Sequence, residues 1–297
     1  MGIVSVPPPP VTLGSGSSGG VVAGSGTAVP GGVESTFEYN GLTMNVRSWW
    51  DTVLVTEIDG FSDADIRDSR DVNPGFHGET PFNAWYGGRT ITLTGKIRAQ
   101  SLGKMRDIQQ AMLLATNDLS KEYPLIVRPG ASGPSVMIYC RKNQPLVIKE
   151  IQADFRHMRD FQMSLRASNP RFLSLDENYV PITFATMPES RLIANLGSFP
   201  AQPRFQLVGP ITTPIIRNNT TNKTLTINAT LANGEIWNVD IAAKTIKTAA
   251  GVNKFSTLDV TSDWIELIPG TNQIQISGTG VLNGTTGLYI FYRHTWI

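Results

Sequence analysis

The chain has 297 residues, enough for two ordinary domains, and it carries a net charge of +1 with only 16% charged residues. The near-zero charge, with no basic stripe, argues against nucleic-acid binding, and no apolar run is long enough to insert into a membrane. The single cysteine, Cys140, excludes an internal disulfide and indicates synthesis in a reducing compartment.

Residues 1–33 are rich in proline, glycine and serine, from "MGIVSVPPPP" to "GSGTAVPGG". Such a segment buries too little apolar area to offset its ordering entropy, so we predict a flexible N-terminal arm. Gly14, Gly16 and Gly19 fit a dinucleotide-binding glycine pattern, but no strand precedes them and no helix follows, so we predict no cofactor there. The start lacks the features of a secretory signal, and we therefore expect synthesis in a cytoplasm.

Residues 34–172 read as short strands with one helix. The stretch "EYNGLTMNV" predicts a hairpin about Asn40–Gly41, and "GGRTITLTGKIRA" alternates apolar and polar residues as a half-buried strand does. The spacing of three and four between apolar residues predicts a helix from Ser101, its N-cap, to about Asn117. Its apolar face would comprise Leu102, Met105, Ile108 and Met112.

The rest of the chain reads as a connection followed by a second β domain. Residues 173–189 contain Pro181 and Pro188 and are weakly patterned, which suits a connection. Residues 190–297 hold closely spaced strand-like segments separated by Gly and Asn turns, which predicts an all-β sandwich. Within it, "DWIELIPGTNQIQISG" (263–278) predicts two strands joined by a turn at Pro269–Gly270. The fold class is therefore mainly β, with one α-helix.

Few residues could carry catalysis or bind a metal. His77, His157 and His294 form no metal-binding pattern, and Cys140, in the middle of a strand, is typical of a small buried hydrophobe. His77 lies in the glycine-rich loop "NPGFHGETPF", where we favour a loop or interface role over a catalytic one. We predict no catalytic residue, no bound metal and no cofactor.

Acidic residues cluster in "FSDADIRDSRDVN", where Arg67 and Arg70 alternate with aspartates. This mixture predicts a solvated or intersubunit surface of ion pairs, with calcium binding as the alternative. A glycosidase would need two carboxyl groups facing each other across a cleft, and the sequence offers no such pair. The aspartates are Asp63, Asp65, Asp68 and Asp71.

Aromatic residues of the second β domain offer a possible sugar platform. Trp237, Trp264 and Tyr289 lie in strand-like segments, and aromatic faces suit pyranose rings. The competing interpretation, which we favour for the tryptophans, is packing in the core or at its rim.

Taken in order, several of these segments resemble the siphophage distal tail protein family, called Dit. The resemblance rests on the opening hairpin, on the strand with Gly88, Arg89, Ile91, Leu93, Gly95 and Ile97, and on "NLGSFPAQPRFQLVG" and "DWIELIPGTNQIQISG". It covers about residues 34–297. The chain departs from the family in its N-terminal arm and in carrying Asn169–Pro170 where the family has a D-P-like end to the first domain.

The resemblance implies a structural virion component. Family members form a homohexameric ring at the distal end of the tail, in which the first domain builds the ring and the second is a galectin-like β-sandwich that projects outward. The ring would join the tail tube protein to the tail-tip hub and anchor receptor-binding and other minor tail proteins. The protein would be made in the host cytoplasm, and its N-terminal arm would order only in the assembly.

We predict that the ring contacts include the charged segment, the glycine-rich loop and the start of the following strand. The residues are Asp65, Arg67, Asp68, Arg70, Asp71, His77 and Arg89. The alternative function is binding of host-wall carbohydrate by the C-terminal domain, through Trp237, Trp264 or Tyr289. A wall-degrading glycosidase is the third hypothesis, and it lacks the carboxylate pair that it requires.

Overall fold

The computed structural model describes residues 35–46, 48, 50–62, 64–72, 75, 77, 79–130, 133–150, 157–183, 186–279 and 286–297. The predicted N-terminal arm and its glycine pattern lie outside these residues. In the described part the chain is mainly β with one α-helix, which confirms the predicted fold class.

The first part of the chain forms one large antiparallel sheet and a helix. Its strand order is β2-β1-β9-β10-β12-β8-β3, with β11 paired to β12 and β13 paired to β10. The elements are β1 (Thr36–Tyr39), β2 (Leu42–Met44), β3 (Thr52–Asp59), β4 (Ile66–Arg67), β5 (Arg70–Val72), β6 (Glu79–Pro81), β7 (Trp85–Tyr86), β8 (Arg89–Arg98), α1 (Leu102–Asn117), β9 (Tyr123–Arg128), β10 (Val136–Lys142), β11 (Val147–Glu150), β12 (Met158–Ala167) and β13 (Phe172–Ser174).

Local sequence signals explain the opening hairpin and the helix. Asn40 and Gly41 both have positive φ, at 45° and 82°, as the turn between two directly joined strands requires. The Ser101 hydroxyl accepts a hydrogen bond from the Lys104 amide at 3.2 Å, which confirms the predicted N-cap. Met105 and Met112 are buried as predicted, whereas Leu102 is exposed because it lies at the first turn, beyond the edge of the core. At 16 residues, α1 is too short to span a membrane, and no other helix in the described residues could do so.

The second part of the chain forms a sandwich of two antiparallel sheets. One sheet has the order β14-β23-β16-β20-β21, and the other has the order β15-β22-β17-β18 with β19 paired to β17. The elements are β14 (Asn178–Thr183), β15 (Glu189–Asn195), β16 (Arg204–Val208), β17 (Ile211–Asn218), β18 (Lys223–Thr226), β19 (Thr230–Leu231), β20 (Ile236–Asp240), β21 (Thr245–Thr248), a 3₁₀ turn (Phe255–Thr257), β22 (Gly270–Thr279), β23 (Gly287–Tyr292) and β24 (Thr295–Trp296). The inner faces of the two sheets enclose a second apolar core, separate from the first.

The segment 173–189 does more than connect the two parts. It carries β14, which pairs with β23 along its whole length as the edge strand of its sheet. Pro181 is tolerated there because an edge strand has one side without ladder hydrogen bonds. At the other end of the chain, β24 pairs with β13 and thereby joins the sheet of the first part.

The predicted hairpin at 263–278 is wrong. Residues 270–279 form β22, but this strand pairs with β15 and β17 rather than with 263–268. Residues 263–268 are held elsewhere, through the bridge of Leu267 to Ala201. The Pro269–Gly270 bend is fixed by the buried Asn272, whose amide group donates to the Ile268 carbonyl at 2.8 Å and whose oxygen accepts from the Ile268 amide at 3.0 Å.

Candidate interaction surfaces

A two-stranded ribbon emerges between β3 and β8. In it β4 pairs with β7 and β5 pairs with β6, and the Phe82 amide donates to the Ser69 carbonyl between these pairs. We call the described residues between 65 and 87, namely 65–72, 75, 77 and 79–87, the β-ribbon. From Asp65 to Val72 it extends over about 24 Å at the usual rise per strand residue.

The β-ribbon exposes large apolar side chains. Trp85 is 66% exposed and Ile66 is 63% exposed, and Phe82 and Tyr86 are also exposed. Tyr86 packs edge-on against Phe199 with ring centroids 5.8 Å apart, which ties the base of the ribbon to the second part of the chain. A two-stranded ribbon is marginally stable alone in water, and clustered exposed apolar groups mark interaction sites.

The charged residues predicted as ring contacts lie mostly on the β-ribbon. Arg70 contacts Asp68 at 2.6 Å and Glu79 at 3.5 Å, while Asp65 pairs with Arg166 of β12 at 2.9 Å. Arg67, Asp71 and His77 are exposed. The structure therefore brings six of the seven predicted residues to one ribbon, and Asp63 lies outside the described residues.

Arg89, the seventh predicted contact, is a core residue instead. It is only 1% exposed, donates to the Gly60 carbonyl at 2.8 Å and the Pro170 carbonyl at 3.3 Å, and lies 4.7 Å from the centre of the Phe172 ring. The sequence indicates this burial, because alternate residues of a strand point to the same face and Arg89 alternates with the buried Ile91 and Leu93. A surface role for Arg89 is excluded by its burial.

The aromatic sugar-platform candidates differ in exposure. Trp237 is 2% exposed, beneath Lys254 and hydrogen-bonded to Glu235, so its face cannot receive a sugar. Its inward position follows from the alternation of the strand, because Trp237 lies two residues from the buried Val239 and points to the same face. Trp264 is partly exposed and stacks on Phe255 with ring centroids 6.3 Å apart.

Tyr289 lies on the solvent side of the sheet that contains β14 and β23. Its ring is nearly parallel to that of Tyr179, at 7° with centroids 5.9 Å apart, and Tyr179 is 52% exposed. Tyr179 also contacts Phe291 with centroids 5.1 Å apart, and the Arg204 guanidinium lies 4.8 Å from the Phe291 ring centre. We call this surface, comprising Tyr179, Tyr289, Phe291, Arg204 and Gln206, the tyrosine face. Sequence reasoning identified only Tyr289, because β14 was not recognised as a strand.

A cleft of about 340 Å³ opens beside the tyrosine face, between the first and second parts of the chain. We call it the junction cleft. Its lining mixes polar side chains, including Asn169, Arg171, Gln202, Arg204 and Asp240, with the apolar side chains of Leu173, Ala242 and Phe291.

The histidines and the cysteine show no arrangement for catalysis. Cys140 is fully buried in β10, and burial raises the pKa of its thiol to about 12. His294 accepts a hydrogen bond on Nδ1 from the Leu196 amide at 3.1 Å, and burial lowers its pKa. Within the described ranges, no three His, Cys, Asp or Glu side chains are grouped as metal ligands would be.

Comparison with known proteins adds a family to this geometry. Residues 196–296 match the model of the C-terminal domain of the siphovirus-type tail component. No curated protein sequence matches the chain.

The fold resembles one solved phage protein structure, and two further chains align more weakly. The crystal structure of the SPP1 Dit protein, described as a paradigm of the hub adsorption apparatus in phages that infect Gram-positive bacteria, aligns with a TM-score of 0.68 at 17% identity, over 89% of this chain and 99% of that one. Chains of the activated phage P2 baseplate, with calcium or with strontium, align with TM-scores of 0.46 at 9% and 8% identity, each over 87% of this chain and 98% of theirs. The family match is confined to residues 196–296, and the likeness to SPP1 Dit, at 17% identity, is one of fold.

Proposed function

We propose that this protein is a tail component of the Dit family and forms a homohexameric ring at the distal end of the phage tail. Residues 34–172 would build the ring, and residues 190–297 would project from it as a galectin-like sandwich. The family match and the fold support a structural component of the tail. The exposed apolar surface of the β-ribbon is the observation that carries ring formation.

The β-ribbon suits a second copy of this chain as its partner. Its apolar side chains, above all Trp85 and Ile66, would leave water on contact with a neighbour and contribute stability in proportion to the apolar area buried. Its charged pairs, such as Arg70 with Asp68, are of both signs and would orient the contact without a net repulsion between copies. Repeating this head-to-tail contact around an axis closes a ring.

In this proposal the ring has a structural role and no catalytic one. It would join the tail tube protein to the tail-tip hub, and the projecting sandwiches would hold receptor-binding and other minor tail proteins. The likeness to SPP1 Dit extends over both parts of the chain, so each part has a counterpart in a protein described as a hub component.

The mass of the purified full chain tests the proposal. We expect light scattering to give the mass of a hexamer and electron microscopy to show closed rings. Trp85→Ala and Ile66→Asp should shift the protein to monomers without lowering its melting temperature. Val260→Asp is the matched control, because Val260 is 99% exposed on the second part of the chain and should leave the ring intact. A wild-type protein that stays monomeric at every concentration, or ribbon variants that still form rings, would contradict the proposal.

Carbohydrate binding by the C-terminal domain is a second candidate function. It is favoured by one observation, the nearly parallel rings of the exposed Tyr179 and the half-buried Tyr289. Trp237 no longer contributes to this hypothesis, because it is buried. Binding of the intact chain to an array of bacterial surface glycans, with and without Trp264→Ala and Tyr289→Ala, tests it.

A further inference from the structure

The tyrosine face is built from rows of side chains that cross the sheet. Because neighbouring strands are in register, side chains at paired positions point to the same side and lie next to one another. One row contains Tyr179, Phe291, Arg204 and Asp240, and the next contains Pro181, Tyr289, Gln206 and Asn238. Each row therefore passes from apolar rings at the edge strand to planar polar groups at the centre of the sheet.

The apolar end of these rows offers a flat surface to solvent. Tyr179 is exposed and nearly parallel to Tyr289, and Phe291 supports it from the neighbouring strand. A pyranose ring has an apolar face of C–H groups. This face packs favourably against an aromatic ring, because no hydroxyl group has to give up its hydrogen bonds to water.

The polar end supplies hydrogen-bonding groups of the right shape for hydroxyls. Gln206 donates to the Asn238 oxygen at 3.2 Å, which leaves the Gln206 oxygen and the Asn238 amide hydrogens available for other partners. Arg204 belongs to the other row, with Tyr179 and Phe291, and also lines the junction cleft. The face and the cleft are therefore continuous, and the cleft volume of about 340 Å³ lies within the usual range of ligand sites.

The charges around the cleft are already matched. Arg204 contacts Glu177 at 3.5 Å, Arg171 contacts Glu266 at 3.8 Å, and Arg293 donates to the carbonyls of Ser174 and Leu175. No cation of this group lacks a partner, so the cleft gives little preference to an anion. Each guanidinium nevertheless has five N–H donors, more than these contacts use, and the remainder suit neutral hydroxyl groups.

We propose that the tyrosine face and the junction cleft together form a binding site for a neutral saccharide. One sugar ring lies against Tyr179 and Tyr289, and the hydroxyl groups of the next occupy the cleft beside Arg204 and Asp240. This inference rests on the second candidate function, carbohydrate binding, and is independent of ring formation.

The test uses the intact chain and named sugars. Methyl glycosides of glucose, galactose, rhamnose and N-acetylglucosamine, and a glycan array of bacterial surface polysaccharides, serve as probes in saturation-transfer NMR and array binding. We expect saturable binding of at least one neutral glycan. Tyr179→Ala, and separately Arg204→Ala, should weaken its Kd by about tenfold or more, the loss that truncating a central contact residue commonly gives.

Control variants separate the possible results. Phe255→Ala removes an exposed aromatic ring that stacks on Trp264 elsewhere in the same domain, and it should leave binding unchanged. Binding that is lost with Phe255→Ala but kept with Tyr179→Ala would overturn this site while leaving carbohydrate binding in place. The absence of saturable binding to any neutral glycan would overturn both. The mass of the assembly is measured in parallel, so failure of the ring proposal is visible separately.

Discussion

Replacing Asn272 by Asp tests whether the buried amide holds the bend before β22. Asn272 is fully buried, and its Nδ2 donates to the carbonyls of Ile268 at 2.8 Å and Gly270 at 3.2 Å. Its Oδ1 accepts from the Ile268 amide at 3.0 Å and from Asn218 at 3.2 Å. Aspartate has almost the same shape and keeps the acceptor, but it removes both donors and turns a carboxyl oxygen toward two carbonyl oxygens.

The expected cost follows from these two lost hydrogen bonds. A buried group left without its partner costs about 1–3 kcal/mol, so Asn272→Asp should lower the free energy of unfolding by about 2–6 kcal/mol. For a domain of about 100 residues, 1 kcal/mol corresponds to roughly 4–8 °C in melting temperature. We therefore expect the second part of the chain to melt at least about 8 °C lower than in the wild type.

Differential scanning calorimetry measures this change, and hydrogen exchange of peptides from β15 and β22 locates it. The matched control is Gln273→Glu, the same change from amide to carboxylate at the next residue, which is exposed. Exposed substitutions usually change stability by less than about 0.5 kcal/mol. Equal melting temperatures for the two variants would refute the assignment of Asn272 as the residue that fixes the bend.

Three further predictions concern buried polar groups of the fold. Arg89→Met should lower the free energy of unfolding by about 3 kcal/mol or more, because two carbonyls lose a charged donor. Calorimetry should show this loss, and light scattering should show unchanged assembly below the melting temperature. A variant that melts like the wild type but fails to assemble would indicate that Arg89 is an interface residue. Because burial lowers the pKa of His294 from 6.5, its contribution is complete above about pH 6.5 and is lost as the pH falls through the folded-state pKa. In His294→Phe the melting temperature should fall less as the pH is lowered. If the fall is the same as in the wild type, other groups cause it. Cys140 should react with a thiol reagent only in the unfolded protein, and rapid labelling of the native chain would contradict its burial.

Sequence patterns predicted those elements whose stabilising contacts are local. The hairpin at Asn40–Gly41 depends on two residues that tolerate positive φ, and α1 depends on its N-cap and on apolar spacing along one face. The alternation in β8 also predicted a half-buried strand correctly. In each case the information lies within one short window of the chain.

The missed elements depend on distant partners. β14 carries Pro181, which resembles a linker residue until β23 supplies the neighbour that makes it an edge strand. The β-ribbon mixes charged residues with exposed aromatic residues. Neither of its faces is buried, so its sequence lacks the apolar–polar alternation from which a strand is predicted. The bend before β22 was recognised, but its geometry comes from an asparagine side chain rather than from a partner strand.

The candidate sites were predictable to a similar degree. Six of the predicted contact residues lie on one ribbon, and Trp237 is buried as the favoured interpretation predicted, while Arg89 was misassigned because its charge outweighed its position in the strand alternation. Applying the period of two to every residue of β8 would have placed Arg89 inside. The partnership of Tyr289 with Tyr179 could not be foreseen, since it joins residues more than a hundred positions apart.

The pairing of β24 with β13 affects the order in which the protein is made. The ribosome delivers residues 172–174 long before residues 295–296, so the nascent first domain lacks its outermost strand while the second is being synthesised. During that interval β13 presents an open edge to its surroundings. Synthesis of residues 295–296 closes it, so a polypeptide that stops short of Thr295 leaves the sheet of the first part open as well as the second part incomplete.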